Sequence, residues 1–386
     1  MEITFYSCFS AGLWCSLFIL LTYLLCRAGA GKRKLTSTSI PIVLYAFSML
    51  RFVLPVDFPN AFVLPDSRVY PKLYTWLTEE LFTVGTYPVS AAALLIVVWI
   101  VGACVGLFRY GYEYHRVFRD NLLFTNPAGE AVQAVYRKIL REEKRPLSIL
   151  VRAGPHVGSP HGLGVFRKVI LLPDVAYSER ELYYILKHEY THFRNHDTLL
   201  KQITVLFSKV FWWNPLVLLL MHDFEQSVEI RCDLAVTKHM DKDEKYAYME
   251  TLVKAVKEEN RCCVPLYGST PLSDDDDRTN KIMERFRMIT SDMENSKAVH
   301  LKNFAIIAVF SVLMFLSYAT IWQPYTASPV DIDSNKIDIN VEPSNSYILH
   351  KKNGEYWLYQ QGYSPEIIPE EIAKLFADEN FDIYEE

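Results

Sequence analysis

No two of the seven cysteines form a CxxC pair: Cys8, Cys15, Cys26 and Cys104 lie in apolar runs, Cys262 and Cys263 are adjacent, and Cys232 stands alone. That spacing excludes a zinc knuckle and a disulfide framework. Surplus positive charge is missing too, since 40 Lys and Arg against 45 Asp and Glu leave a net charge of -5, so direct nucleic-acid binding has no electrostatic footprint. A composition of 50% hydrophobic and 14% aromatic residues is rich for a purely soluble protein. Mean hydropathy, at +0.05, is nevertheless too low for a chain that lives wholly in lipid. Several membrane spans joined to a sizeable water-exposed domain fit both figures.

Four apolar runs are the candidate spans: 3–26, 40–56, 86–108 and 303–322. The first lacks the basic start and short apolar core of a cleaved signal peptide, because Glu2 precedes it and the basic residues follow it, so it reads as a retained span. Arg51 interrupts the second run, where it must snorkel or face other helices. Arg27, Lys32, Arg33 and Lys34 follow span one; Arg109, Arg116 and Arg119 follow span three; Lys297 and Lys302 precede span four. Those ends are expected in the cytoplasm. The expected division is therefore three spans within 1–108, a cytoplasmic domain over 109–302, a fourth span at 303–322 and an outside tail over 323–386. From residue 324 the tail carries 4 lysines, no arginine and 13 acidic residues, in keeping with an outside location.

Within the cytoplasmic stretch, "KHEYTHFRNHD" at 187–197 carries His188, Glu189 and His192. Ser178 with Glu181 three residues later is a capping-box signature, and no proline or glycine interrupts the chain from there to Ile203. On one helix His188 and His192 project from the same face, a turn apart, with Glu189 beside them. Two imidazoles on zinc and a carboxylate on its water need that geometry. A catalytic zinc also needs a third protein ligand. Glu225, Glu229 and Asp233 recur every four residues downstream and stack like charges on one helical face, a cost that a cation would offset. Glu229 is the expected third ligand, with Asp233 orienting one of the histidines. The remaining histidines are read as non-ligands, although His196, eight residues after His188 on the same expected helix, lies within reach of the site.

Residues 203–221, "ITVLFSKVFWWNPLVLLLM", are long enough to cross but cannot do so if Glu229 is to meet His188 and His192. Lys209, Asn214 and Pro215 break the run, which reads as two helical pieces, buried in the domain or dipping into the inner leaflet. "VILLP" at 169–173 is either an edge strand for an extended peptide or a buried core strand.

Taken together, HExxH at 188–192, Asp197, "FWWNPLV" at 211–217, "EIRCD" at 229–233 and "KIMERFRMI" at 281–289 resemble the M56 membrane metallopeptidases, the family of the BlaR/MecR antibiotic-sensing transducers. "SPHGLGVFRKVILLP" at 159–173 is similar to the segment before the motif helix there. The resemblance covers 1–322. It implies a multi-span α-helical membrane protein with a cytoplasmic α+β zincin, gluzincin-like, metallopeptidase domain. One zinc on His188, His192 and Glu229, with Glu189 as general base, is the implied site. Its host would be a bacterial plasma membrane, its substrate a protein or peptide, the chain itself or a winged-helix repressor, and it leaves room for a homodimer. The chain departs from those transducers in its tail, which holds no SxxK nucleophile and reads instead as a small ββα module, with Asn353-Gly354 as a hairpin turn and a helix opened by Pro369. "DDDD" at 274–277 reads as a solvated loop or as a segment the site could cut.

Three functions stand at this point. The first is a zinc endopeptidase transmitting an external signal by regulated proteolysis. The others are a quality-control membrane protease of the HtpX or CAAX-processing sort, and a non-catalytic receptor or scaffold that zinc merely stabilises. "WWNP" with "EIRCD" favours the first over the second, and an intact Glu189 argues against the third. No oxyanion donor is singled out; His222, His239 and Arg231 are candidates.

Overall fold

The computed structural model describes residues 5–28, 39–56, 58, 61–66, 70–85, 87–261, 275–290, 297–324 and, of 346–385, all but 353, 361–364, 371–372, 375 and 377–380. The chain divides into two compact units, Met1–Pro324 and Tyr325–Glu386.

The first unit begins with helices α1 (Phe5–Ala28) and α2 (Ser39–Val53), then β1 (Phe62–Asp66), α3 (Tyr70–Thr78) and the antiparallel pair β2 (Glu80–Val84) and β3 (Tyr87–Ser90). Helix α4 (Ala91–Phe124) follows. It starts at Ala91 rather than 86 because Tyr87–Ser90 belongs to the strand pair and Ser90 caps the helix, its hydroxyl accepting from Ala93 N. The helix also runs 34 residues without a break, so the apolar part that ends near Phe108 continues as the same helix to Phe124. Helix α11 (Lys297–Ala319) ends earlier than the apolar run, where β8 (Thr320–Pro324) turns to pair in parallel with β1.

Among the described residues three helices, not four, are long and apolar enough to cross a membrane: Ser7–Cys26 of α1, α4 and Leu301–Ala319 of α11. The 15 residues of α2 rise about 22 Å, short of a ~30 Å hydrocarbon core. Its Arg51 is fully buried and faces α11: the guanidinium donates to Ser317 O at 3.1 Å and to Leu54 O at 3.2 Å and lies over the Tyr318 ring. Facing another helix is thus how this arginine is accommodated.

After α4 come β4 (Asn126–Pro127), α5 (Glu130–Glu142), β5 (Leu150–Gly154), β6 (His161–Leu163) and β7 (Val169–Pro173). They form a sheet of order β4-β5-β7-β6, with β5 parallel and β6 antiparallel to β7. All five residues of "VILLP" are buried, so β7 is the core strand and β6 is the edge. The strand is apolar throughout because it is covered on both faces; Ile170 and Leu172 pack with Ile139 of α5 and with Leu186 and Tyr190 of α6 (Glu179–Arg194).

Helices α7 (Asp197–Val210), α8 (Leu216–Thr237), α9 (Lys242–Arg261) and α10 (Asp275–Thr290) complete the unit. Segment 203–221 is two helical pieces turning at Phe211–Pro215, as its proline and asparagine predict. Asp275–Asp277, expected in a solvated loop or a cleavable segment, belong to the first turn of α10; Asp274, Cys262 and Cys263 lie outside the described residues.

The second unit is a sheet of order β11-β10-β9-β12, from β9 (Ser346–His350), β10 (Tyr356–Gln360), β11 (Glu366–Ile368) and β12 (Ile383–Glu385). β9 and β10 form the hairpin that the Asn-Gly turn predicts, with Gly354 at φ 85°. Ile348, Ala373 and Phe381 form its core. The third and fourth strands, β11 and β12, are both additional to the ββα expectation.

Candidate metal centre

Ser178 starts the motif helix as its spacing predicts: its hydroxyl accepts from Glu181 N at 3.3 Å and the Glu181 carboxylate accepts from Ser178 N at 2.7 Å. The helix does not continue to Ile203. It stops at Arg194, and His196 adopts a left-handed conformation, φ 58°, which histidine enters more readily than most non-glycine residues. His196 therefore does not share the helix of His188, and it does not line the cleft. The reversal brings Asp197, at the start of α7, back under α6, where its fully buried carboxylate accepts from His192 Nδ1 at 2.8 Å and from Arg231.

His188 is held from a different direction. Its Nδ1 is 2.8 Å from the Tyr248 hydroxyl, and that hydroxyl donates to Asp233 Oδ1 at 2.7 Å. Asp233 is itself 3.3 Å from His188 Nδ1 and accepts from Arg285 Nε at 2.6 Å and Nη2 at 2.9 Å. Asp233 thus stands beside a histidine, as the sequence predicts, but a tyrosine from α9 sits between them. With each Nδ1 engaged by a neighbour, both Nε2 atoms are left facing each other.

The two Nε2 atoms are 3.1 Å apart, Glu229 Oε2 is 3.5 Å from the first and Glu229 Oε1 is 3.5 Å from the second. Four ligands about 2.0–2.2 Å from a tetrahedral zinc lie about 3.3–3.6 Å from one another. These three donors therefore fit one such ion, and two facing imidazole nitrogens beside a carboxylate form a cluster that a cation, whether a proton or a metal, holds together. Cys232 is a further neighbour, its thiol donating to His188 O at 3.4 Å and lying 3.6 Å from His188 Nδ1. His188, His192 and Cys232 also form a cluster with ligand-forming atoms within 4.8 Å. The sulfur borders the Nδ1 edge that Tyr248 occupies, so the carboxylate of Glu229 is the better-placed third donor.

Electrostatics agree with a site built for positive charge. Burial opposes ionisation of Glu229, but Lys201 and the two histidines outweigh it and hold the carboxyl well below the usual range. Lys201, on α7, donates to Glu229 Oε1 at 2.8 Å. Burial likewise opposes the charge on Asp233, and Arg285 overcomes it, bringing its pKa down to about 2. Both histidines are pushed well above 6.5 because Cys232 and the surrounding negative or hydroxyl groups outweigh burial.

Glu189 is buried and lines the same cleft as Lys201, Glu229 and Arg285, beside β6. Gly162 of β6 permits this approach: a Cβ there would lie 2.8 Å from the Phe193 ring and 3.4 Å from Glu189 Oε2. None of the three oxyanion candidates lines the cleft. Arg231 is engaged with Asp197 behind His192, His222 pairs with Asp223 and His239 is exposed. Glu225 is exposed as well and contributes no ligand atom. Tyr248, Lys201, Arg285 and Cys232 are the site residues that sequence reasoning missed. Only Cys232 and Arg285 lay inside motifs, "EIRCD" and "KIMERFRMI", and nothing about their spacing assigned them a role.

Comparison with known proteins agrees with this picture. Residues 79–289 match the family described as BlaR1 peptidase M56. The chain is 30% identical over 161 residues to the regulatory protein BlaR1 of Bacillus licheniformis, covering 41% of this chain and 26% of that protein. It is 24% identical over 280 residues to the regulatory protein BlaR1 of Staphylococcus aureus, covering 69% and 46%, and 23% identical over 231 residues to the methicillin resistance mecR1 protein of Staphylococcus aureus (strain Mu50 / ATCC 700699), covering 57% and 39%. The matches thus span less than half the length of each relative. Matched to the M56 peptidases over more than half its length, and carrying three helices able to cross a membrane, the chain belongs to that family of signal-transducing membrane metallopeptidases as a BlaR/MecR-like protein.

Proposed function

We propose that the protein is a zinc-dependent membrane endopeptidase whose 109–302 domain is a gluzincin-like zincin. It would transmit an external signal by cutting itself or a cytoplasmic repressor of the winged-helix type. The observation that carries this reading is the convergence of His188 Nε2, His192 Nε2 and one Glu229 carboxylate at 3.1–3.5 Å, with Glu189 in the same cleft. Bound to those three residues, zinc would supply Lewis-acid polarisation of a carbonyl and a more acidic water.

The chain's own groups have defined tasks. Asp197 and the Tyr248–Asp233 pair fix both imidazoles with Nδ1 protonated, so that Nε2 is the ligating atom. Glu189 takes a proton from water at its carboxylate and returns it to the leaving amine nitrogen. An extended peptide added along the free edge of β6 would pass beside Glu189, held by main-chain hydrogen bonds. Lys201 and Arg285 lock the Glu229 and Asp233 carboxylates in place.

Loop charge supports an orientation with the peptidase domain in the cytoplasm and the N-terminus and tail outside, on a bacterial plasma membrane. This orientation needs α2, extended by Leu54–Val56, to complete a crossing. The test is a comparison of purified wild-type protein with Glu189→Gln in lipid, reading new N-termini by mass spectrometry. Cleavage products from wild type and none from a variant that still binds zinc are expected. Equal cleavage by the variant would remove Glu189 from the reaction and overturn the proposal.

A further inference from the structure

The turn between α7 and α8 packs against helices that are long and apolar enough to cross a membrane. Trp99 Nε1 donates to Val210 O at 2.7 Å, Trp212 lies over Gly102 so closely that a Cβ there would fall 2.5 Å from its ring, and Trp212 Nε1 reaches Trp99 O at 3.4 Å. Trp99 and Gly102 are at the middle of the apolar part of α4. Independently, Asn214 Nδ2 donates at 3.1 Å to Ser16 Oγ, at the middle of α1. Two separate spans thus set the turn at the same depth. Lower down, Gly106 meets Lys209 and Tyr110 bonds Gln202, so α7 runs antiparallel to α4 toward the end of its apolar part.

The surface that this hairpin leaves exposed is apolar. Leu199, Ile203, Leu206, Trp212, Trp213 and Leu218 are each at least 40% exposed, and Trp212 lies against Gly102 of α4, whose own apolar side chains are exposed. Charges on the hairpin are placed compatibly: Lys209 lies level with Gly106, near the end of the span, where its four-carbon stem can carry the ammonium to the headgroups. Asp223 accepts from Tyr45 of α2 at 3.0 Å.

We infer that α7 and α8 form a re-entrant membrane hairpin whose exposed apolar side contacts lipid, and that it fixes the metal-centre cleft at the bilayer surface. Fourteen helical residues from Pro215 bring Glu229 about 21 Å from the turn. Half of a ~30 Å hydrocarbon core is about 15 Å, so Glu229 sits about 6 Å beyond it, among the headgroups. The other leg agrees: Gln202 is level with the end of the span, and Asp197 lies five residues, about 7.5 Å, further out. If the peptidase reading holds, the polypeptide that the cleft meets is one presented at the membrane surface.

The test places the photoreactive residue p-benzoylphenylalanine singly at Leu206, Trp213 and Leu218 in the full chain, in nanodiscs of dioleoylphosphatidylcholine and dioleoylphosphatidylglycerol. Adducts are read by intact-protein mass spectrometry. Leu95 of α4 is the lipid-facing reference and Tyr246 of α9 the aqueous one, both more than half exposed. Phospholipid adducts at the three hairpin positions, in yields like that at Leu95 and far above that at Tyr246, are expected. Yields like that at Tyr246, or cross-links to a second copy of the chain in place of lipid, would overturn the inference. The three positions lie on exposed surface and outside the cleft, so loss of folding at one leaves the other two to decide.

Discussion

Removing the Tyr248 hydroxyl probes how His188 is held. In Tyr248→Phe the ring stays and only the oxygen between His188 Nδ1, at 2.8 Å, and Asp233 Oδ1, at 2.7 Å, is lost. Two hydrogen bonds at about 1 kcal/mol net each set the upper limit of the damage. His188 Nδ1 is already 3.3 Å from Asp233 Oδ1, and Asp233 keeps both bonds from Arg285, so the imidazole can fall back on the carboxylate directly. A net loss of about 1 kcal/mol, or about fivefold in zinc affinity, is expected. Asp197→Ala takes away the carboxylate held at 2.8 Å from His192 Nδ1 and also strips Arg231 of its partner. Its loss should reach the 10–100-fold typical of groups that orient a metal-bound histidine. Zinc titration against a chromophoric chelator measures both. If Tyr248→Phe proved the more damaging of the two, or if neither variant altered affinity, the assignment of Nε2 as the ligating atom on both rings would be wrong.

Other consequences can be checked alongside. Gly162→Ala forces a methyl to within 2.8 Å of the Phe193 ring, so it should cost about 1–3 kcal/mol, seen as a lower melting temperature, and cut peptide cleavage further by pushing β6 from Glu189. Acid should weaken the metal-free protein through Asp233, whose folded pKa of about 2 lies below its ordinary 3.8. Because the folded value is depressed, the stabilisation is complete above about pH 4 and fades as pH falls toward 2, amounting to about 2 kcal/mol; Arg285→Met should flatten that part of the stability profile, and an unchanged profile would refute the assignment.

The parts of the site that the sequence made legible are local ones. The capping box, the HExxH pair and the Glu229–Asp233 spacing each lie within one or two helical turns, where periodicity translates directly into a shared face. Tyr248 and Arg285 reach the site from sixty and fifty-two residues away from their partners, and no period marks such an arrival. The break at His196 escaped notice because no glycine or proline announces it. Asn195-His196-Asp197 can turn the chain with a left-handed histidine, and only the tertiary demand for a carboxylate under His192 makes that turn necessary. In the membrane part, apolar runs located the helices but not their ends: Ser90 and the β1–β8 pairing, rather than hydropathy, decide where α4 begins and α11 stops. "VILLP" carried its own answer in its uninterrupted apolar character, which belongs to a strand covered on both sides.

Zinc content per chain, measured by elemental mass spectrometry on lipid-reconstituted protein, tests the central claim most directly when wild type is set beside Glu229→Ala and Glu189→Gln. The geometry of three donors at 3.1–3.5 Å predicts about one zinc per chain in wild type and in Glu189→Gln, and a large loss in Glu229→Ala. Folded wild-type protein holding little zinc, or Glu229→Ala holding as much as wild type, would contradict it.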